Sequence, residues 1–296
     1  MWQPRRAVLL ALGAMLIAAP AHADDKLKAV ASISIIGDLV KNVGGDRVEV
    51  ATLVGPNSDS HVFSPTPTDA RTLGAARIVF VNGMGLEGWM TRLAAASGAK
   101  TSPVVVTTGV TPRQAEEGGH HAVDPHAWQS VANAKLYVAN VRDGLKKIDP
   151  AGAAIYDANA KVYVDKLDAL EREVRETIGK IPADRRRIIT THDAFGYFGQ
   201  AYGVEFIAPI GVSADSEPSA RDIAKIIAQI RQQKIPAVFL ENISDPRMMQ
   251  QIARETGAKI GGTLYSDALS DANGPAATYV DMMRSNVRAL AKALTP

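Results

Sequence analysis

The sequence contains no cysteine. That absence excludes a disulfide framework, cysteine-ligated zinc, iron–sulfur ligation and a cysteine nucleophile, and it removes the residue a lipid anchor would need. Aromatic residues are sparse at 5%, histidines number six, and 33 Lys and Arg nearly balance 31 Asp and Glu. A phosphate-binding loop is also missing. Asn82-Gly83-Met84-Gly85 follows a strand-like run, but the third glycine of a dinucleotide turn is not there, and Glu87 stands where a pyrophosphate would lie. What remains is 46% hydrophobic and 22% charged, the composition of a folded soluble protein rather than a disordered, collagenous or wholly membrane-embedded chain. At 296 residues it exceeds one typical domain of ~100–200 residues, so two are expected.

The start of the chain reads as a secretory leader. Trp2-Gln3-Pro4-Arg5-Arg6 is basic, residues 7–19 are apolar, and Ala21-His22-Ala23 has the small-x-small form of a cleavage site. Cleavage after Ala23 would leave an exported, unanchored chain beginning at Asp24. The leader holds two Arg and no acidic residue, so the mature chain carries equal numbers of basic and acidic side chains. No basic field remains to attract nucleic acid or an anionic membrane.

Beyond the leader, β-rich runs alternate with amphipathic stretches, twice over. Strands are expected at 27–33, 48–54, 78–82 and 104–107, with helices at 36–43, 69–75 and 86–97. A second set of strands falls at 187–191, 205–207, 237–241 and 260–262, with helices at 194–202, 219–233, 246–255 and 276–294. Alternation of this kind means βαβ crossovers and parallel sheets, hence two α/β lobes. Between them, Ala154, Ile155, Ala158, Val162, Leu167, Leu170, Val174 and Ile178 recur at helical spacing. They predict one helix over 151–180, roughly 40 Å long at 1.5 Å per residue, able to join the lobes as a stiff connector. The lobes would then be 24–150 and 181–296.

Chemistry concentrates in the few histidines. His61 follows the second strand by a short loop, His192 follows 187–191 directly, and His126 lies in Asp124-Pro125-His126-Ala127-Trp128 before a helical stretch. Asp267, in Leu264-Tyr265-Ser266-Asp267, also comes just after a strand. The carboxyl ends of parallel strands are where open sheets gather ligands. Three imidazoles and a carboxylate suit zinc and tolerate manganese or iron. Taken singly, each histidine has a structural reading as well, because the four residues are scattered and lack a local His-x-x-His pairing.

In its ordered motifs the sequence resembles the periplasmic zinc- and manganese-binding proteins of ABC importers. The resemblance is carried by Ser60-His61-Val62-Phe63-Ser64-Pro65-Thr66-Pro67, Asn82-Gly83-Met84-Gly85-Leu86-Glu87-Gly88-Trp89 and Asp124-Pro125-His126-Ala127-Trp128. It continues in Thr191-His192-Asp193-Ala194-Phe195-Gly196-Tyr197-Phe198, Glu241-Asn242-Ile243-Ser244-Asp245-Pro246 and Leu264-Tyr265-Ser266-Asp267-Ala268-Leu269. It implies two α/β lobes joined by a rigid helix, a metal buried in the cleft between them, and delivery to a membrane permease. The family's ligand positions fall on His61, His126, His192 and Asp267. Members resembling manganese binders commonly carry Glu at the third position, so His192 implies zinc first and manganese or iron second. Such a protein is periplasmic, monomeric and not an enzyme.

Two departures stand out. The long His- and acid-rich loop of many zinc-binding members shrinks here to Gln114-Ala115-Glu116-Glu117-Gly118-Gly119-His120-His121, read as a flexible loop or a weak metal gatherer. Gln129-Ser130 follow Trp128 where an acidic residue is common. Trp89 and Trp128 are expected in packing, with Trp128 able to shield the metal. Glu241 and Asp193 are candidates to orient an imidazole, and Asp245-Pro246 opens a helix. A secreted zinc hydrolase is the rival reading. It would need an open coordination position and a general base, and no His-Glu-x-x-His element is present.

Overall fold

The computed structural model describes residues 26–117, 120–213 and 219–295. The expected leader and its cleavage site lie outside the described residues. In chain order the elements are β1 (Leu27–Ile33), α1 (Ser34–Gly44), β2 (Val48–Val54), α2 (Pro67–Gly74), β3 (Ile78–Val81), α3 (Met90–Ser97), β4 (Val104–Val105), β5 (Arg113–Glu117), β6 (His120–Asp124), α4 (Val131–Ile148) and α5 (Ala153–Gly179). They continue with β7 (Arg187–Ile189), α6 (Gly196–Tyr202), β8 (Glu205–Ile207), α7 (Ala220–Gln233), β9 (Ala237–Glu241), α8 (Arg247–Thr256), β10 (Lys259–Leu264) and α9 (Tyr279–Leu294).

The two parallel sheets are wound alike. One runs β2-β1-β3-β4 and the other β10-β9-β7-β8, so in each the first strand of the set has its successor on one side and the third strand on the other. The order in which strands are added reverses between β1 and β3 and between β7 and β9, the switch points at whose carboxyl ends parallel sheets gather ligands. Strand β3 is buried along its whole length, as a strand covered by helices on both faces must be. Local sequence sets the helix ends. Thr66 and Asp69 form a capping box with Pro67 in the first turn of α2. Ser219 and Thr278 accept the Asp222 and Asp281 amides at the starts of α7 and α9. Asp245 accepts the amide of Arg247, the first residue of α8, at 2.9 Å.

The long helix α5 has 27 residues and packs on α1 and α4 of the first lobe and on α6 and α9 of the second. One apolar core runs through it without a break, from Ile36 and Trp128 through Leu167 to Leu264 and Tyr279. Its buried stripe corrects the sequence expectation over the first half. Ile155 and Val162 are exposed, whereas Tyr156, Ala160 and Tyr163 face inward. The tyrosines win because each supplies a large apolar body and a hydroxyl with a partner waiting. Tyr156 donates to Asp149 at 2.5 Å and Tyr163 to Asp38 at 3.2 Å. From Leu167 onward the expected stripe is the buried one.

Other boundaries also move. Residues 86–89 form turns before α3, and α6 begins at Gly196 rather than at 194. The stretch read as a flexible loop is an antiparallel hairpin, β5 on β6, with Arg113 opposite Asp124. Alternation there is too weak in hydrophobicity to read as strand. The near-miss dinucleotide turn is folded around the protein's own anion. Glu87 accepts the Asn82 and Gly83 amides at 2.6 and 3.0 Å and the Ser32 hydroxyl at 2.7 Å. Gly83 permits the turn, with φ of +82°.

Candidate metal site

Four loops carry the donor side chains into one buried cluster. His61 sits in the loop after β2, where Asp59 accepts its backbone amide at 2.8 Å and Trp89 Nε1 donates to the Ser60 carbonyl at 3.0 Å. His126 follows β6 in a turn held by Asn82, whose Nδ2 donates to the Pro125 carbonyl at 2.9 Å. His192 follows β7, and Asp267 follows β10. The Asp267 loop is fixed from the opposite lobe, since Trp128 Nε1 and Gln129 Nε2 both donate to the Ser266 carbonyl, at 2.9 and 2.8 Å. Gln129 thus spans the cleft.

The four side chains converge within 4.8 Å of one another, measured between one donor atom of each. His61 Nε2 is 3.1 Å from Asp267 Oδ2 and 3.3 Å from His126 Nε2. His126 Nε2 is 3.4 Å from Asp267 Oδ1, and His192 Nε2 is 3.3 Å from Asp267 Oδ2. A tetrahedron with bonds of ~2.0–2.1 Å has edges of about 3.3–3.4 Å, so this spacing fits a small divalent ion. Both Asp267 oxygens and both His192 ring nitrogens are buried without a hydrogen bond among the described residues, although His192 Nδ1 stands 2.6 Å from Glu241 Oε2. Buried polar atoms left in this way need a partner, and a cation supplies one. His126, His192 and Asp267 side chains are sealed, whereas the His61 loop is open, with neighbouring Val62 60% exposed.

Two of the three imidazoles are braced by carboxylates on the far side of the ring. Asp124 Oδ1 lies 2.8 Å from His126 Nδ1 and also accepts the His126 amide at 2.9 Å. Glu241 Oε2 lies 2.6 Å from His192 Nδ1, while its Oε1 accepts the Thr191 and His192 amides at 2.7 and 3.0 Å. A carboxylate at Nδ1 holds the proton there and leaves the Nε2 lone pair for a metal. Glu241 is one of the residues sequence reasoning singled out for this task. Asp193 is not at a ring nitrogen, and Asp124 takes that place. Its signal was present in the Asp-Pro-His turn, which sets the carboxylate two residues before the ring.

Charge is finely set in this cluster. Burial disfavours a charged His126, but the Asp267 and Asp124 carboxylates outweigh it and push the imidazole up to about 9. For His192 burial is likewise overcome, by Glu241 and Asp267, and the ring is held well above its ordinary value. Burial favours a neutral Asp267, yet His126 and His192 hold its carboxyl well below the usual range. A dication arriving here replaces protons as the partner of the carboxylates, so binding and proton release are one event.

The two wound sheets and the buried His/Asp cluster are those of a two-lobed α/β protein with a candidate metal site. Residues 29–293 match the family described as zinc-uptake complex component A, periplasmic, and the chain belongs to that family. It is similar to the iron-binding protein YfeA of Yersinia pestis, 35% identical over 92% of this chain and 88% of the relative. It is also similar to the manganese-binding lipoprotein MntA of Halalkalibacterium halodurans, 34% identical over 88% of this chain and 86% of the relative. Among solved structures, the periplasmic zinc-binding protein TroA of Treponema pallidum is 32% identical, covers 92% of this chain and all of its own, and superposes with a TM-score of 0.87.

Proposed function

We propose that His61, His126, His192 and Asp267 bind a divalent transition metal as cargo, zinc in preference to manganese or iron, and that the chain presents it in the periplasm to an ABC importer's membrane permease. The observation that carries this reading is the convergence of three Nε2 atoms on both oxygens of one buried aspartate. Zinc is favoured by the donor chemistry, since imidazole-rich, near-tetrahedral sites suit it while manganese prefers oxygen-rich octahedra. The relatives named for zinc, manganese and iron leave that choice to the donors of this chain.

In this reading residues 24–150 and 181–296 work as the two lobes of a monomer, and residues 151–180 as the stiff connector. The unbroken core through α5 supports small loop movements rather than wide hinge closure. Capture starts at the open His61 loop and ends with the ion sealed between the braced rings. Asp267 fills the position that a hydrolytic water would need, which supports transport over catalysis. Titration of the metal-free protein with zinc and manganese tests the reading. The expected result is zinc affinity tighter than micromolar and weaker manganese affinity; zinc binding no tighter than micromolar contradicts it.

A further inference from the structure

Arg113 lies outside every motif the sequence offers, yet its guanidinium sits behind the metal site. We infer that Arg113 is a positioning residue for the metal: it fixes the His126 ring by holding Asp124, and it ties that brace to the opposite lobe. The inference rests on His126 being a ligand, as proposed above.

Asp124 is sealed from solvent, and an ionised carboxylate there is costly unless it is paired. Arg113 Nη1 pairs with Asp124 Oδ2 at 2.8 Å while Oδ1 faces the His126 ring. With Oδ2 held by the guanidinium, Oδ1 stays against the His126 ring and fixes its orientation. The same guanidinium lies 3.8 Å from Asp193, next to His192 in the second lobe. The Arg113 amide donates to Tyr197 Oη at 2.8 Å, and that hydroxyl donates to the Asp124 carbonyl at 3.1 Å. Gly196 makes room for this arrangement, because a Cβ placed there would fall 2.1 Å from Nη1. The β5–β6 hairpin therefore delivers one cation between the brace of a first-lobe ligand and an acid beside a second-lobe ligand.

The site offers a clean contrast with His192, whose brace Glu241 is held by backbone amides and needs no cation. Removing Arg113 should loosen one ring and leave the other. The test measures zinc dissociation into excess chelator, together with the nitrogen NMR signal of the His126 Nδ1–H in the zinc-loaded protein. Arg113→Gln is expected to release zinc about tenfold faster and to shift or broaden the His126 signal while the His192 signal stays, the size expected when a partner behind a metal ligand is lost. Arg113→Lys should recover most of the retention. Gly196→Ala, which expels the guanidinium without altering any charge, should also speed release, and it carries the test if Arg113→Gln fails to fold.

Zinc release by Arg113→Gln within about twofold of the parent, with His126→Ala releasing it far faster, overturns the role of Arg113 and leaves the ligand assignment intact. If His126→Ala retains zinc like the parent, the ligand assignment itself fails and this inference falls with it.

Discussion

His126 and His192 present the same Nε2 atom to the same aspartate, but the supports behind them differ in kind. Behind His192, Glu241 spans from the end of β9 to the Thr191 and His192 amides in the loop just past β7, so the brace is held by backbone. Behind His126, Asp124 stands at the end of a two-stranded hairpin and is paired with a side chain that is 30% exposed. One arm is held by main-chain amides alone. The other can be loosened by moving a single guanidinium. His61 differs again: among the described residues no acidic side chain meets its second ring nitrogen, and its loop faces solvent.

The largest expected effect removes what the two arms share. Asp267→Ala takes away both carboxylate oxygens, and if binding of ~10–16 kcal/mol is divided over four ligands, zinc affinity should fall by two to three orders of magnitude in a chelator competition assay. A loss below about tenfold would mean that the arms do not meet at Asp267.

Next is a pH effect of opposite sign in the empty and loaded protein. With its folded value of about 9 above the ordinary 6.5, His126 stabilises the metal-free fold fully below pH 6.5, and that contribution is lost as pH rises through about 9. It amounts to no more than ~3 kcal/mol. Thermal melting of metal-free protein should therefore fall between pH 6.5 and 9, while zinc affinity rises over the same interval as protons leave the ligands. A metal-free melting temperature that climbs across that interval would show that the carboxylates do not hold charge on the rings.

A smaller effect separates the arms from each other. Asp124→Asn and Glu241→Gln should each weaken zinc binding about 10–100-fold, as loss of a partner behind a metal ligand does. Only the Asp124 variant should become insensitive to a further Arg113→Gln change, measured as a double-mutant cycle on the dissociation rate. Equal response of both variants to Arg113→Gln would erase the distinction.

Much of this was legible before the structure. The doubled βα alternation predicted two parallel sheets, and family resemblance pointed to His61, His126, His192 and Asp267, which the fold brings together. What escaped notice shares a physical cause. The β5–β6 hairpin is short and polar, so it has no apolar period to detect. Arg113 meets Asp124 only because the hairpin pairs their strands, which spacing does not show, whereas the Asp-Pro-His turn already set Asp124 beside the His126 ring. In α5 the apolar period was real but its phase was set by tyrosine hydroxyls finding Asp38 and Asp149, a tertiary fact that the helical pattern does not contain.

In the proposed site three imidazoles and one carboxylate hold the cargo. An X-ray absorption spectrum of the zinc-loaded protein measures this directly. The expected spectrum shows three imidazole nitrogens at about 2.0 Å with one carboxylate group completing the sphere. A sphere made mainly of oxygen, or one retaining all three imidazoles after His192→Ala, would contradict it.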